Sequence, residues 1–150
     1  MTAPLRFLLF QARNPDDPMR EHEVESFSRS LRCKRDHIDV FDLIGGSGDY
    51  SVAKGGPWLP EALEAMRQLH EISKPTFASC WGFQAMARAM GGEVVTDRDR
   101  AEVGTRWMEV TPEGKRDPVF GPLGDRFQVQ IGHEDIVTKL PEGATLLASS

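Results

Sequence analysis

Residues 76–84 read Thr76-Phe77-Ala78-Ser79-Cys80-Trp81-Gly82-Phe83-Gln84. A short apolar run ends at the cysteine and a helix rich in small residues follows directly, so the pattern predicts a strand, a sharp turn and a helix. At such a turn the thiol projects from the carboxyl edge of a sheet. There the positive end of the helix favours a thiolate, and backbone N–H groups stabilise an oxyanion. Cys80 is therefore the predicted nucleophile, although most lone cysteines are inert core residues.

Strands and helices alternate on the N-terminal side of this turn. Apolar runs at residues 6–10 and 38–44 predict strands, and Asp17 is placed to cap a helix whose first residue is Pro18. A further helix is predicted from Pro60. Apolar residues at helical spacing predict the buried faces of the two helices: Val24, Phe27 and Leu31 in the first, and Leu63, Met66, Leu69 and Ile72 in the second. The alternation predicts an α/β domain with a parallel sheet.

The pattern changes after Gly92. Residues 106–111 and 126–131 alternate apolar with polar side chains, and turns rich in proline and glycine separate them. These two segments are predicted to be antiparallel strands beside the parallel core. The sequence holds no repeat and no linker, so residues 1–150 are predicted to form one domain.

Charge and cysteine content exclude several classes of function. The net charge of −5 argues against nucleic acid or an anionic membrane as the main partner, because such surfaces need clustered Lys and Arg. The two cysteines, Cys33 and Cys80, form neither a disulfide framework nor a metal-ligand spacing. We therefore expect no metal and no membrane span, and a cytoplasmic location.

The segment from Ser79 to Gln84 resembles the nucleophile turn of class I glutamine amidotransferases, whose motif is Gly-x-Cys-x-Gly-x-Gln; Ala78 replaces the first glycine. The resemblance implies a flavodoxin-like parallel sheet flanked by helices, with the antiparallel part added in the C-terminal third. It also implies that the cysteine hydrolyses the side-chain amide of glutamine, releasing ammonia through a glutamyl thioester. No cofactor is implied.

A glycine-rich loop, Gly45-Gly46-Ser47-Gly48, follows the predicted strand at 38–44. Taken alone it predicts only a turn, and its spacing is not that of a phosphate-binding loop. The resemblance implies that backbone N–H groups of Gly46 and Trp81 form the oxyanion hole. It also implies that Gly48 and Gln84 line the glutamine pocket.

A third block reads His133-Glu134-Asp135. Taken alone, His133 could be a general base, but adjacent residues do not face each other, so Glu134 is a poor partner for it. The resemblance assigns His133, Glu134 and Asp135 to the wall of the glutamine pocket. The family's catalytic His and Glu belong to a Phe-His-Pro-Glu motif that these 150 residues do not contain. We therefore expect an incomplete domain at the C-terminal end, with slow glutamine hydrolysis.

Two other functions stay open at this point. One is a γ-glutamyl peptidase or other small-amide hydrolase on the same scaffold, and the other is a non-catalytic relative that binds a ligand or a protein. The expected partners are glutamine or a γ-glutamyl compound and, for a biosynthetic role, a separate ammonia-accepting synthase chain.

Overall fold

The structure is a computed structural model that describes residues 5–14, 16–42 and 50–150. The chain divides into two compact units. The first consists of Met1–Tyr50 and Gly56–Ala62, and the second of Ser51–Gly55 and Leu63–Ser150. None of the helices in the described part of the chain has both the length and the apolar character that a membrane span requires.

The first unit contains a parallel pair of strands and the helix that connects them. Strand β1 (Phe7–Gln11) pairs in parallel with β2 (Ile38–Asp42), and helix α1 (Met19–Ser30) lies between them in the chain. The Asp17 carboxylate accepts the Met19 amide at 2.8 Å, which satisfies one of the free N–H groups of the first turn. The sequence-based start of this helix is therefore confirmed within one residue.

The second unit contains two antiparallel sheets beside helix α3. Helix α2 (Leu59–Glu71) belongs to this unit from Leu63 onward and is followed by α3 (Trp81–Ala89). Helix α3 packs against β3 (Glu93–Thr96) and β6 (Asp135–Lys139). The other sheet has the order β5, β4, β7, and its strands are β4 (Glu102–Val110), β5 (Arg126–His133) and β7 (Ala148–Ser149). The sequence predicted β4 and β5, which are longer than expected, but it did not predict β3, β6 or β7.

Residues 76–79 do not form the strand that the sequence predicted. They form no regular secondary structure, and Phe77 is 84% exposed. A strand requires a neighbour for its backbone groups, and in the described residues parallel pairing is limited to β1 and β2. The prediction was correct for the helix after Cys80 and wrong for the strand before it.

Two residues predicted to face inward are exposed instead. Leu31 is 43% exposed because α1 ends at Ser30, and Ile72 is 69% exposed because α2 ends at Glu71. Periodicity carried both predictions one residue beyond the helix, where the helical face no longer exists.

Candidate active site

Cys80 is an exposed residue at the cap position directly before α3. Its backbone has φ 47° and ψ −106°, a region that residues with a side chain rarely adopt. The turn is closed by the Gly82 amide, which donates to the Ser79 carbonyl at 2.8 Å, and by the Gln84 amide, which donates to the Cys80 carbonyl at 3.1 Å. Such backbone strain costs about 1–3 kcal/mol and clusters at functional sites. The predicted nucleophile thus lies on a strained turn at a helix N-terminus.

The sulfur lies beside the end of β5. Cys80 Sγ is 4.0 Å from the carbonyl oxygen of Gly132, the residue before His133. Only Glu134 separates β5 from β6, and its backbone oxygen accepts the Asp97 amide at 2.9 Å. The structure therefore brings Cys80 next to residues 132–135, which we call the β5–β6 turn.

Gln84 connects α3 to the same turn. The residue is only 8% exposed, and its Nε2 donates to the backbone oxygen of Asp135 at 2.9 Å. The resemblance implied that Gln84 lines the glutamine pocket; in the structure its amide ties the helix to β6. Gln84 and Asp135, predicted separately as pocket residues, are thus direct neighbours.

The Asp135 carboxylate accepts three hydrogen bonds, which come from two chain segments. Oδ2 accepts from Ser51 Oγ at 2.6 Å and from the Ala53 amide at 3.4 Å, and Oδ1 accepts from Thr96 Oγ1 at 2.6 Å. Partial burial raises the pKa of Asp135, but these donors and the charge of Lys54 outweigh it and hold that pKa below its usual range. No sequence motif marked Ser51, Ala53 or Thr96, because only the fold brings them to Asp135.

His133 and Glu102 form a cross-strand pair. They are register partners in the β4–β5 ladder, with His133 Nε2 at 3.6 Å from Glu102 Oε2. His133 Nδ1 is buried and has no hydrogen-bond partner among the described residues. Glu134 extends outward instead, 3.5 Å from the exposed Arg98 guanidinium. Glu102 was missed by sequence reasoning, since 31 positions in the chain separate it from its strand partner His133.

Trp81 is the first residue of α3 and is half-buried, so its N–H belongs to the helix N-terminus that follows Cys80. Gly46 and Gly48 lie outside the described residues, and their roles stay predictions.

Within the described ranges no group of three or more potential ligands could hold a metal ion. An open groove of about 300 Å³ borders α1 in the first unit, and none of the predicted site residues lines it.

We expect Cys80→Gly to unfold at a higher temperature than Cys80→Ala. Glycine adopts φ 47° without penalty, whereas alanine retains the strain, so the difference should be about 1 kcal/mol, or roughly 2–4 °C in Tm for a domain of this size. The matched control is Ser79, whose φ is not positive. There Ser79→Gly should be less stable than Ser79→Ala, and the same order at both positions would contradict a strained Cys80.

Comparison with known proteins shows the family of this chain. A sequence model described as glutamine amidotransferase class-I matches residues 21–150. GMP synthase (glutamine-hydrolysing) from Thermotoga petrophila is 34% identical over 133 residues, covering 88% of this chain and 24% of that protein. One subunit of GMP synthase (glutamine-hydrolysing) from Methanothermobacter thermautotrophicus is 30% identical over 109 residues, covering 73% of this chain and 56% of that relative. The chain therefore spans less than two thirds of either relative.

The crystal structure of a glutamine amidotransferase from Thermotoga maritima has the same fold. It matches with a TM-score of 0.71 at 20% identity, covering 97% of this chain and 67% of that one. This likeness confirms the predicted α/β fold class, with its parallel and antiparallel parts. Because the family's sequence model extends over most of the chain, the chain belongs to the class I glutamine amidotransferase family.

Proposed function

We propose that this domain binds glutamine and that Cys80 attacks the carbon of its side-chain amide. The observation that carries the proposal is the exposed thiol on a strained turn at the N-terminus of α3, beside the β5–β6 turn. Strained backbone and a helix N-terminus are the arrangement that activated cysteine nucleophiles use.

The proposed reaction has two steps. The sulfur forms a bond to the amide carbon, the carbon–nitrogen bond breaks, and the thiol proton leaves with the nitrogen as ammonia. Water then hydrolyses the glutamyl thioester, which releases glutamate and restores the thiol. Negative charge develops on the amide oxygen in the first step, and the Trp81 N–H is the proposed donor to it; one such donor contributes about 3–4 kcal/mol in acyl-transfer enzymes.

The proposed pocket lies where α3 meets the β5–β6 turn. Gln84, His133 and Glu134 belong to the elements that border the sulfur, and the 4.0 Å contact of Sγ with Gly132 supports this placement. His133 serves in this proposal as part of the pocket wall and not as the base. Its imidazole is paired across the strands with Glu102, which supports a fixed position.

The released ammonia requires an acceptor. The relatives are named GMP synthase, and the name of one of them is that of a single subunit, so we propose that this domain supplies ammonia to a nucleotide-forming synthase chain in the cytoplasm. The net charge of −5 argues against a nucleic acid as its partner.

A glutamine analogue that carries a diazo-ketone in place of the amide tests this function. We expect it to alkylate Cys80: the sulfur–carbon bond forms, the thiol proton passes to the diazo carbon and dinitrogen leaves. Gln84→Ala should slow the reaction about tenfold, because it releases α3 from β6 beside the sulfur. Mass spectrometry of the Cys80 peptide measures the rate.

Gln128→Ala is the matched control, since Gln128 is an exposed residue of β5 that pairs with Trp107. It should react like the wild type. A chain that reacts with iodoacetamide at Cys80 but not with the analogue would contradict glutamine binding and favour a non-catalytic relative. Protection by γ-glutamyl peptides but not by glutamine would instead favour the peptidase.

A further inference from the structure

Asp135 is the point at which three separate segments meet around the β5–β6 turn. Its carboxylate accepts from Ser51 and from the Ala53 amide, and from Thr96 at the end of β3. Its backbone oxygen accepts from Gln84 of α3. One residue thus joins residues 51–55, β3 and the helix that begins after the nucleophile.

We infer that Asp135 is a positioning residue, which fixes the β5–β6 turn against α3 so that Cys80 faces the bound substrate in a reactive geometry. This inference rests on the proposed function. It differs from the role that the family resemblance implies, which is direct contact with glutamine in the pocket wall.

The hydrogen bonds of the carboxylate support this assignment. Both oxygens are already engaged by donors of the chain itself, at 2.6 Å from the hydroxyls of Ser51 and Thr96. Ser51 Oγ also accepts the Lys54 amide at 3.0 Å, so the donor hydroxyl is itself held in place. An ionised carboxylate only accepts, and it is therefore matched to this set of donors.

The segment at residues 51–55 is anchored from a second direction. Arg88 of α3 donates from Nη1 to the backbone oxygen of Val52 and, at 3.3 Å, to that of Ala53. Val52 itself is completely buried. Residues 51–55 are therefore held in place by α3, and they in turn donate hydrogen bonds to the Asp135 carboxylate.

A displacement at Asp135 would reach the sulfur by two short routes. Along the chain, Asp135 is three residues from Gly132, whose carbonyl oxygen lies 4.0 Å from Sγ. Through space, it holds Gln84, which is one helical turn after Cys80. Because a misplacement of about 1 Å can cost about 10²-fold in rate, these two routes are sufficient for a large effect without contact to substrate.

The test uses Asp135→Asn as the conservative variant and Asp135→Ala as the severe one. Asp125→Asn is the matched control, since that carboxylate pairs with Lys115 on the surface and touches none of these residues. The first measurement is amide hydrogen exchange, which needs no activity. In Asp135→Asn we expect exchange at residues 82–84 to quicken about tenfold, while the β4–β5 strands keep their protection.

The second measurement separates the maximal alkylation rate of the glutamine analogue from its half-saturating concentration. We expect the maximal rate to fall about tenfold in Asp135→Asn and about 10²-fold in Asp135→Ala, with half-saturation changed less than about twofold. Asp125→Asn should match the wild type in both quantities. Asp135→Asn keeps one acceptor oxygen. A smaller loss of rate in Asp135→Asn than in Asp135→Ala therefore indicates that the lost hydrogen bonds, and not general unfolding, slow the reaction.

Three results would overturn the inference. Half-saturation raised about tenfold at an unchanged maximal rate would make Asp135 a ligand of the substrate. Unchanged exchange at residues 82–84 would show that the turn does not hold the helix. Loss of protection from hydrogen exchange in all parts of Asp135→Asn would show that Asp135 contributes only to folding stability. If the wild type itself fails to react with the analogue, the proposed function fails, and the exchange measurement still reports whether Asp135 holds the helix.

Discussion

We expect Cys80→Ala to react with the diazo-ketone analogue of glutamine about 10⁴-fold more slowly than the wild type, or not at all. The reason is that the sulfur is the atom that forms the new bond, and no other described side chain at this turn replaces it. Intact-mass measurement after incubation with excess analogue reads the result directly. Because Cys80 is exposed, its removal should leave the fold intact.

Cys33 provides the matched control. It is the other cysteine of the chain, it lies after α1, and its carbonyl oxygen accepts from Ser28 Oγ at 2.8 Å. Cys33→Ala should form the adduct at the rate of the wild type. An adduct that persists in Cys80→Ala but disappears in Cys33→Ala would show that Cys33 is the reactive thiol and would refute the proposed site.

Gly114→Ala is expected to lower the free energy of unfolding by about 3 kcal/mol, the largest effect on stability that we predict. A Cβ at Gly114 would overlap the backbone oxygen of Leu147 and approach Val110 Cγ1 at 2.8 Å. Moving the backbone at Leu147 would break a hydrogen bond, because the same Leu147 oxygen accepts the Thr111 amide at 2.9 Å. The methyl group would therefore displace the segment that leads into β7. Urea unfolding measures the loss.

Gly132→Ala is the control for this substitution. A Cβ at Gly132 meets nothing within 4 Å, and this strand position has no positive φ. Its stability should stay within about 0.5 kcal/mol of the wild type. Equal stability of Gly114→Ala and Gly132→Ala would contradict the close approach at Leu147.

Local sequence patterns were sufficient for much of the fold. The Asp-Pro pair at residues 17–18 marked the start of α1, because capping and the fixed φ of proline act within one turn. Strands β4 and β5 could be predicted because one face of each is partly buried and the other is exposed, which produces alternation. Cys80 could be predicted as a turn residue before a helix for the same reason: the determinants are adjacent in the chain.

Other features depend on pairing between distant segments. The strand predicted at residues 76–79 required a neighbouring strand, and its apolar residues could not show whether one would be present. Likewise, Ser51 and Thr96 became partners of Asp135 only through the fold, across 84 and 39 positions of the chain. Motif resemblance assigned Asp135 to the pocket but gave no information on which donors its oxygens meet.

The backbone conformation of Cys80 also bears on how such domains diverge. Under the proposed function, Cys80 is retained at φ 47° for its chemistry, so selection for the reaction opposes selection for stability at this one position. A lineage that keeps the fold for another purpose no longer has a reason to retain the thiol. Since cysteine and glycine codons differ by a single nucleotide, we expect glycine to be a readily reached replacement there, and its presence in a relative would mark the loss of catalysis.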